Sequence, residues 1–441
     1  MSLTAREKVL LACLIIVIIV LGGVAYYFAT FKPKPEVIEL TLYTKAGLWA
    51  DFIRKTGVLE SFEDRMYREK GLIVRVKIIT APHKGYRERV VTDFAAGAAG
   101  DVVWLGESEI PGLVEAGMLL DLTPYVEKWE DWGKFYEVGK KLGSYKGKVY
   151  AIPFETAPLV IYYRKDIFKQ AGLPVPWQPA TWDDVVRAAL TIKEKVPDVI
   201  PFRGFYDVCL PIYMAGGKIY DTTDGKWIVK SDAILSAFKV YYDVFYSYGI
   251  TPKEAELEKW DNRKLFQEGK LAILIDGVWC YIEKWGPGMT YEIENREDVV
   301  GYAYIPGLGT PGAPNYISVT GTYNWVINAK TKYPELAWEL VKELSKPEII
   351  AQWGYETSHI VTRSDAVLGE YAKEPFLKWA TTVLEHSIPK PIASGYKKYV
   401  NTFKRVIIDY LVAEGKSPEE CLSIFVNEAI KELGSDAVKE V

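Results

Sequence analysis

The chain has 441 residues, more than a single hydrophobic core of about 250–300 residues usually organises, so its length predicts at least two lobes. Apolar residues make up 49% of the chain, which excludes wholesale disorder. The 54 Lys and Arg are spread along the chain and balanced by 58 Asp and Glu, and the net charge of −4 gives no indication of a nucleic-acid partner.

Two further features of the composition carry information. Fourteen Trp and 30 Tyr raise the aromatic share to 14%, and flat side chains with one polar edge suit sugar faces as well as packing. Only four Gln and seven Asn accompany many Glu and Lys. This balance favours a thermophile, in which many charges belong to surface ion networks.

Residues 9–28 form an unbroken uncharged run at the N-terminus. As a helix, such a run spans about 30 Å, the thickness of the hydrocarbon core of a bilayer. It is longer than a signal-peptide core of about 7–15 residues, and no small-x-small cleavage site follows it. We therefore predict a cytoplasmic segment at 1–8, an uncleaved single-pass transmembrane anchor at 9–31 and a stiff charged linker at 32–36.

Strands and helices alternate after the linker. The patterns predict strands at 37–44, 72–80 and 101–105, separated by helices at 50–70 and 86–96. This order indicates βαβ units on a mostly parallel sheet. Ligands of such sheets bind beyond the carboxyl ends of the strands, so the loops after the first and third strands are the first places to look for a site.

A second α/β region begins near residue 150. An extended segment at 152–163 and strands at 271–276 and 323–328 are predicted there, and TWDD at 181–184 has the spacing of a capping box. Helices are predicted at 164–171, 181–196, 231–248, 262–268, 334–345 and 417–433.

The Cys and His residues give no sign of a metal or cofactor. Cys209, Cys280 and Cys421 are too few and too scattered for a disulfide framework, which leaves three buried thiols or one bridge between Cys209 and Cys280. The three His have no metal-ligand spacing, and we predict no metal and no cofactor. GLGTPG at 307–312 satisfies GxGxxG but opens no helix, so it is predicted to be a connecting loop.

Five passages, in order, resemble one family. They are FAAG at 94–97 with GDVV at 100–103 and LVEAGMLLDLTPY at 113–125; YKGKVYAIPFE at 145–155 with IYYRKDIF at 161–168; FQEGKLAILIDGVW at 266–279; GTYNWVIN at 321–328 with PELAWELVKEL at 334–344; and IVTRSD at 360–365. Together they are similar to the family 1 solute-binding proteins of ABC importers, the sugar-binding group that includes maltose-binding protein.

The resemblance implies a two-lobed α/β fold of the periplasmic-binding-protein type (type II), with a mostly parallel sheet flanked by helices in each lobe. It places lobe 1 at 37–153 and 318–353, lobe 2 at 157–305 and 361–441, and crossings near 154–156, 306–317 and 354–360. The lobes are expected to close on a solute between them and then to dock on a membrane permease.

Family position also implies candidate ligand-binding residues in lobe 2. Trp279 is implied to be a stacking surface for a sugar ring, with core packing as the alternative, and Gly277 indicates close backbone approach. Asp276 either accepts a hydrogen bond from a hydroxyl or caps a turn. Gly217 follows another Gly beside the implied cleft, where the alternative is a plain turn.

Further candidates come from the crossing and from lobe 1. Glu155 and Thr156 lie at the first crossing, where a carboxylate can accept bonds from sugar hydroxyls or form a hinge salt bridge. Tyr323 and Trp325 share one strand face, which is either cleft or core.

Three residues follow strands of lobe 1. Glu107 and Ser108 end the third strand, with a surface turn as the alternative, and Trp49 lies in the loop after the first strand or packs on the next helix. Leu105 replaces an aromatic residue of maltose-binding protein, which puts linear maltodextrin in doubt as the ligand.

Three functions remain at this point. The first is a membrane-anchored extracytoplasmic receptor, a monomer and not an enzyme, that binds a carbohydrate and delivers it to the permease and ATPase subunits of an ABC importer. The second is an extracellular glycosidase that uses two carboxylates, drawn from Glu107, Glu155 and Asp276. The third is a structural surface protein. The acidic candidates lead us to expect an uncharged solute.

Overall fold

The computed structural model of the protein describes residues 4–30 and 37–441. The predicted linker at 32–36 and residues 1–3 lie outside these ranges. The N-terminal helix covers Ala5–Thr30, and the apolar side chains at 14–21 are each 49–66% exposed. Within the described ranges, no helix combines the length and the hydropathy that a membrane crossing requires. The predicted transmembrane helix therefore stays a prediction.

Short strands and helices alternate along most of the described chain. The strands are β1 (Val37–Lys45), β2 (Ile73–Ala81), β3 (Val102–Gly106), β4 (Ser144–Tyr145), β5 (Lys148–Val149), β6 (Ala151–Thr156), β7 (Leu159–Arg164), β8 (Ile200–Phe205), β9 (Tyr220–Asp221), β10 (Lys226–Lys230), β11 (Leu271–Gly277), β12 (Val300–Ala303), β13 (Ser318–Thr320), β14 (Thr322–Ile327), β15 (Ile360–Val361), β16 (Ser387–Pro389) and β17 (Val438–Glu440). The α-helices are α1 (Ala5–Thr30), α2 (Leu48–Lys55), α3 (Val58–Lys70), α4 (Tyr86–Ala95), α5 (Ile110–Glu115), α6 (Thr123–Val126), α7 (Glu137–Leu142), α8 (Lys165–Ala171), α9 (Trp182–Lys195), α10 (Leu210–Met214), α11 (Asp232–Tyr242), α12 (Lys253–Leu257), α13 (Asn262–Gln267), α14 (Arg296–Val299), α15 (Pro334–Leu344), α16 (Pro347–Thr357), α17 (Pro375–Thr382), α18 (Tyr396–Arg405) and α19 (Pro418–Leu433).

The first lobe is built on a six-stranded sheet in the order β15-β6-β14-β3-β1-β2. Strand β1 pairs in parallel with β2 and β3, as the βαβ pattern predicts. Strand β14 is antiparallel to β3 and β6, and β15 is antiparallel to β6. Three of the five neighbouring pairs are therefore antiparallel, and the predicted mostly parallel sheet is wrong for this lobe, because β14 and β15 run opposite to the other four strands.

The second lobe contains a four-stranded sheet in the order β12-β7-β11-β8. Of its three neighbouring pairs, only β11 with β8 is parallel. Strand β7 is antiparallel to both β11 and β12. This sheet also corrects the prediction of mostly parallel strands. A smaller sheet, β17-β10-β9, joins the end of the chain to the same lobe.

The strand pairings show where the chain enters each sheet. Strand β13 (Ser318–Thr320) pairs with β16 (Ser387–Pro389) and not with the six-stranded sheet, which the chain rejoins at Thr322. Val361 pairs with Glu155 in the six-stranded sheet. The predicted lobe boundaries stay a prediction. They place residues 318–320 in lobe 1 and residue 361 in lobe 2, whereas the pairings link 318–320 to 387–389 of lobe 2 and Val361 to the sheet of lobe 1.

Local sequence signals explain most of the element boundaries. Helix α9 begins with the predicted capping box, in which the backbone N–H of Thr181 donates to the Asp184 carboxylate at 2.9 Å. The single helix predicted at 50–70 is instead two helices, α2 and α3. Gly57 separates them in a left-handed conformation with a φ of 65°, which a continuous helix does not permit.

Aromatic side chains fill the centre of each lobe. In the first lobe Trp104 packs edge-on against Trp325, with ring centroids 4.7 Å apart, and against Phe154 at 5.0 Å. In the second lobe Phe238 and Phe403 lie 4.9 Å apart among helices α11, α18 and α19. Cys209, Cys280 and Cys421 are free and buried. Many of the aromatic residues of this chain therefore serve packing rather than a site.

Candidate functional site

A cavity of about 190 Å³ lies between the two lobes. Strands of both lobes point their carboxyl ends at it: Lys45 ends β1, Glu107 follows β3, and Trp279 follows β11. Residues of the crossing segments, including Glu155 and His359, complete the wall. This is where ligands of α/β sheets bind, because side chains from several strands converge there.

Aromatic rings line both sides of the cavity. On the second lobe Trp279 packs edge-on against Tyr206, with ring centroids 4.9 Å apart. On the first lobe Trp49 stacks on His83 at 5.0 Å, and Tyr323 stacks on Trp104 at 5.8 Å. Each of these rings therefore has one side or edge fixed by a neighbour, which orients it in the wall.

The indole of Trp279 folds back over its own strand. A β-carbon at residue 277 would lie 1.8 Å from the Trp279 ring, so only glycine fits there. The close approach that Gly277 indicates is thus made by this indole. The guanidinium of Arg263 lies 5.9 Å from the centre of the same ring and 5.7 Å from that of Tyr206.

Arg263 and Asp276 form a bidentate ion pair behind Trp279. The Nε of Arg263 donates to Asp276 Oδ2 at 2.9 Å, and its Nη2 donates to Oδ1 at 3.0 Å. The backbone N–H of Gly277 also donates to Oδ1 at 2.8 Å. The Asp276 carboxylate is thereby satisfied within the protein and does not line the cavity.

Glu155 sits at the crossing, where β6 leaves the first lobe. Its side chain is almost fully buried, and it accepts a hydrogen bond from the Trp353 indole N–H. The His359 Nε2 lies 3.5 Å from its other oxygen. Burial raises the pKa of Glu155, and the charges of His359 and Lys45 only partly oppose this effect.

His359 connects the cavity to the core of the first lobe. Its ring is nearly parallel to Trp279, with centroids 6.2 Å apart, and to Trp353, with centroids 6.1 Å apart. Its Nδ1 lies 2.9 Å from the Thr357 hydroxyl. The His359 imidazole, at the third crossing, thus lies between Trp279 of the second lobe and Trp353 of the first.

Lys45 is the most unusual group of the wall. The residue is 4% exposed, yet its ammonium has no hydrogen-bond acceptor and no carboxylate within 4 Å among the described residues. Instead its Nζ lies 3.8 Å from the ring centre of Tyr323 and 4.4 Å from that of Trp49. Burial lowers the pKa of Lys45 to about 8, and the charge of Glu155 only partly opposes this effect.

Arg87 approaches the same Tyr323 from helix α4. Its Nε donates to the Tyr323 hydroxyl at 3.1 Å, and its Nη1 donates to Ser108 Oγ at 3.0 Å. The nearest carboxylate oxygen, on Glu109, is 3.9 Å away. Two basic side chains therefore converge on one phenol ring.

Glu107 rests on the backbone of the strand opposite. Its Oε2 accepts a hydrogen bond from the Thr322 N–H at 3.1 Å, and its Oε1 would lie 2.7 Å from a β-carbon at residue 321. Glycine at 321 therefore lets this carboxylate approach the chain and face the cavity.

Half of the predicted site residues lie on the wall of the cavity. Those on the wall are Trp49, Glu107, Glu155, Trp279 and Tyr323. Those that are not are Ser108, Thr156, Gly217, Asp276 and Trp325.

The five that are not on the wall have different surroundings. Trp325 shares the face of Tyr323, as alternation predicts, but it is two residues further from the strand end and lies fully buried against Trp104. The Thr156 and Thr320 hydroxyls lie 2.7 Å apart within the crossing. Gly217 is packed against Ile212 and Ala233 in the second lobe.

Several wall residues have no counterpart among the predicted ones. They are Lys45, His83, Arg87, Tyr206, Arg263, Glu283, Lys284, His359 and Lys390. Lys45 directly follows the strand predicted at 37–44, next to a loop that the strand pattern does single out. In a chain with 54 Lys and Arg, no local signal distinguishes these basic side chains from those of a solvated surface. Among the described residues, no group of His, Cys, Asp and Glu is arranged to hold a metal ion.

Comparison with known proteins shows which family this chain is similar to. Residues 49–350 match the family of bacterial extracellular solute-binding proteins. A putative binding protein of Brucella abortus is 23% identical over 379 residues, which cover 83% of this chain and 88% of that protein. The maltodextrin-binding protein MdxE of Bacillus subtilis is 27% identical over 299 residues, covering 63% of this chain and 64% of MdxE.

A solved structure shows the same fold. The maltose-bound MalE3 of T. maritima superimposes with a TM-score of 0.71 at 22% identity, over 89% of this chain and 99% of that one. The two-lobed α/β prediction is thereby confirmed. The prediction that the chain is not an enzyme is confirmed by the family, which is one of binding proteins, and the comparisons do not support a glycosidase. The chain belongs to the family of bacterial extracellular solute-binding proteins.

Proposed function

We propose that this protein is the extracytoplasmic receptor of an ABC importer and that it captures a sugar or an oligosaccharide between its two lobes. One observation carries this proposal: a cavity at the carboxyl ends of strands from both lobes, with Trp49, Tyr323 and Trp279 in its wall. A binding protein needs such a two-sided cavity, because a solute held by both lobes stabilises their closed arrangement.

The chemistry of the wall supports a carbohydrate. Ring faces of Trp and Tyr pack on the apolar faces of sugars, and carboxylates such as Glu107 and Glu155 accept hydrogen bonds from hydroxyl groups. The names of relatives agree: MdxE is a maltodextrin-binding protein, and MalE3 is bound to maltose. Five predicted residues, Trp49, Glu107, Glu155, Trp279 and Tyr323, are proposed to contact the solute.

Three of the remaining predicted residues act from behind the wall in this proposal. Ser108 holds Arg87, and Asp276 holds Arg263 beside Trp279. Thr156 belongs to the crossing, where its hydroxyl contacts Thr320. These three are proposed to position the groups that contact the solute.

The cellular setting is also part of the proposal. Attachment to the membrane through residues 9–28 rests on their sequence and on the exposed apolar side chains at 14–21, which leave this helix without a polar face. The lobes would then lie outside the cytoplasm as a monomer and deliver the solute to the permease and ATPase subunits. Fractionation of cells into membrane and soluble material, with and without residues 1–30, tests the attachment.

A thermal-shift screen of neutral and acidic mono- and oligosaccharides tests the binding function. A ligand at 100 times its Kd adds about 2.7 kcal/mol to the free energy of unfolding. Trp279→Ala is expected to abolish the shift and to leave a cooperative unfolding transition, because the ring lies on the wall of the cavity.

Trp260→Ala, at a partly exposed indole that does not line the cavity, is the matched control and should keep the shift. If no saccharide stabilises the protein, the carbohydrate function is wrong. If Trp279→Ala unfolds the unliganded protein, Trp279 is a core residue instead.

A further inference from the structure

The charged groups of the cavity wall differ in how far the protein itself satisfies them. The acidic groups have partners: Glu155 has Trp353 and His359, Glu107 has the Thr322 N–H, and Glu283 has Lys284 at 2.6 Å. The carboxylates therefore already accept hydrogen bonds from the protein. A donor from a solute would add to these bonds rather than supply the first one.

Three other basic groups of the wall, two from the first lobe and Lys390, lack such close partners. The Lys45 ammonium, in a residue 4% exposed, has neither a hydrogen bond nor an ion pair within 4 Å among the described residues. Arg87 has hydroxyl acceptors only, and its nearest carboxylate oxygen is 3.9 Å away. Lys390 is likewise 3.9 Å from its nearest carboxylate, that of Asp207.

An unpartnered cation is costly to bury. The Lys45 Nζ faces the cavity, so a solute that fills the cavity takes water from it. Contact with the rings of Trp49 and Tyr323 contributes about 0.5–2 kcal/mol to the stability of an ammonium group, whereas the loss of its water costs several kcal/mol. A solute hydroxyl would supply a hydrogen bond but no opposite charge. An anionic oxygen supplies both, and such charge-assisted bonds are about twice as strong as neutral ones.

We propose that the solute of this cavity is a saccharide that carries an anionic oxygen group, a carboxylate or a phosphate, and that the Lys45 ammonium binds this group beside Tyr323. Arg87 and Lys390 supply further positive charge around it. Glu107, Glu155 and Glu283 also line the cavity and remain available for the neutral hydroxyls of the same solute. This inference rests on the proposed function and replaces the uncharged solute that we expect from the sequence.

Matched pairs of sugars test the inference on the full chain. Glucuronic acid and glucose, galacturonic acid and galactose, their disaccharides, and glucose 6-phosphate are compared by calorimetry at one ionic strength. In at least one pair the acidic member is expected to bind about tenfold more tightly or better, which is the difference between a charged and a neutral hydrogen-bond partner. Preference for the uronic acid or for the sugar phosphate distinguishes a carboxylate from a phosphate ligand.

Variants of Lys45 separate this inference from general solute binding. Lys45→Met, which keeps the apolar stem, is expected to bring the ratio of acidic to neutral affinity close to one, and Lys45→Arg to preserve most of it. Lys77→Met makes the same change at an exposed lysine of β2 and should leave the ratio unchanged.

Two results overturn the inference while the proposed function stands: neutral members that bind as tightly as acidic ones, or a preference for acids that survives Lys45→Met. If no sugar of either kind binds, the proposed function itself is contradicted, and the inference fails with it.

Discussion

The two walls of the cavity differ in whether their basic side chains have partners within the protein. On the second-lobe wall the two basic groups nearest Trp279 in the chain have direct partners: Arg263 is bound by Asp276, and Lys284 by Glu283. On the first-lobe wall Lys45 has none among the described residues, and Arg87 has only hydroxyl acceptors within hydrogen-bond distance. The charges of Arg263 and Lys284 are thus paired without a solute, and the charge of Lys45 is not.

This difference indicates a division of roles. A wall whose charges are paired holds Trp279 in one orientation and is rigid before the solute arrives. A wall with an unpaired ammonium is destabilised until a solute supplies the missing charge. Stability and binding should therefore respond in opposite ways to substitutions on the two walls.

The largest effect is expected from breaking the pair on the second-lobe wall. Asp276→Asn leaves the Arg263 guanidinium without its carboxylate partner in a largely buried setting, so the free energy of unfolding should fall by about 3 kcal/mol. Denaturant titration measures this change. Asp51→Asn breaks the exposed pair with Arg54 and should cost less than about 1 kcal/mol. If the two variants lose the same free energy of unfolding, burial of the Arg263–Asp276 pair does not add to its effect on stability.

On the first-lobe wall the expected sign is reversed. Lys45→Met removes an unpaired charge that faces the cavity and keeps the apolar stem between Trp49 and Tyr323. We expect the unliganded protein to gain about 2 kcal/mol at pH 7, after allowance for the lost ring contacts. Thermal and denaturant unfolding of the two proteins decide the matter, and a clear loss of stability would mean that the ammonium is satisfied in the unliganded protein.

A smaller effect follows from pH. The pKa of Lys45 is about 8 in the folded protein and 10.5 when unperturbed. Between these values the unfolded chain binds more protons than the folded one, so the contribution of this group to stability rises with pH by up to about 1.4 kcal/mol per unit. The advantage of Lys45→Met should therefore be full below pH 8 and shrink towards pH 10.5. An advantage that is constant over this range would contradict the lowered pKa.

The sequence predicts much of this fold because its local signals agree with the tertiary structure. The strands ending at Lys45, Gly106 and Gly277 and the capping box at Thr181 all appear within a residue or two of the predicted positions. Strand direction is harder to predict. Strands β14 and β15 enter the first sheet antiparallel, because the chain crosses between lobes before it reaches them.

The site is predicted only in part, for reasons that particular residues make clear. Alternation gives Tyr323 and Trp325 the same face, but their distance from the strand end decides which one reaches the cavity. Glu107 stands out because it follows a predicted strand, and Glu155 because the family resemblance places it at the first crossing. Lys390 reaches the wall through the pairing of β16 with β13, a contact between distant segments that no local pattern reveals.

The nearly parallel rings of Trp279, His359 and Trp353 span the junction between the lobes. Two of these rings are indoles, and the imidazole of His359 lies between them. A rotation of one lobe against the other would have to carry these rings along or pull them apart. Tryptophan fluorescence, measured with and without a solute, would therefore report a rotation of the lobes without an added label.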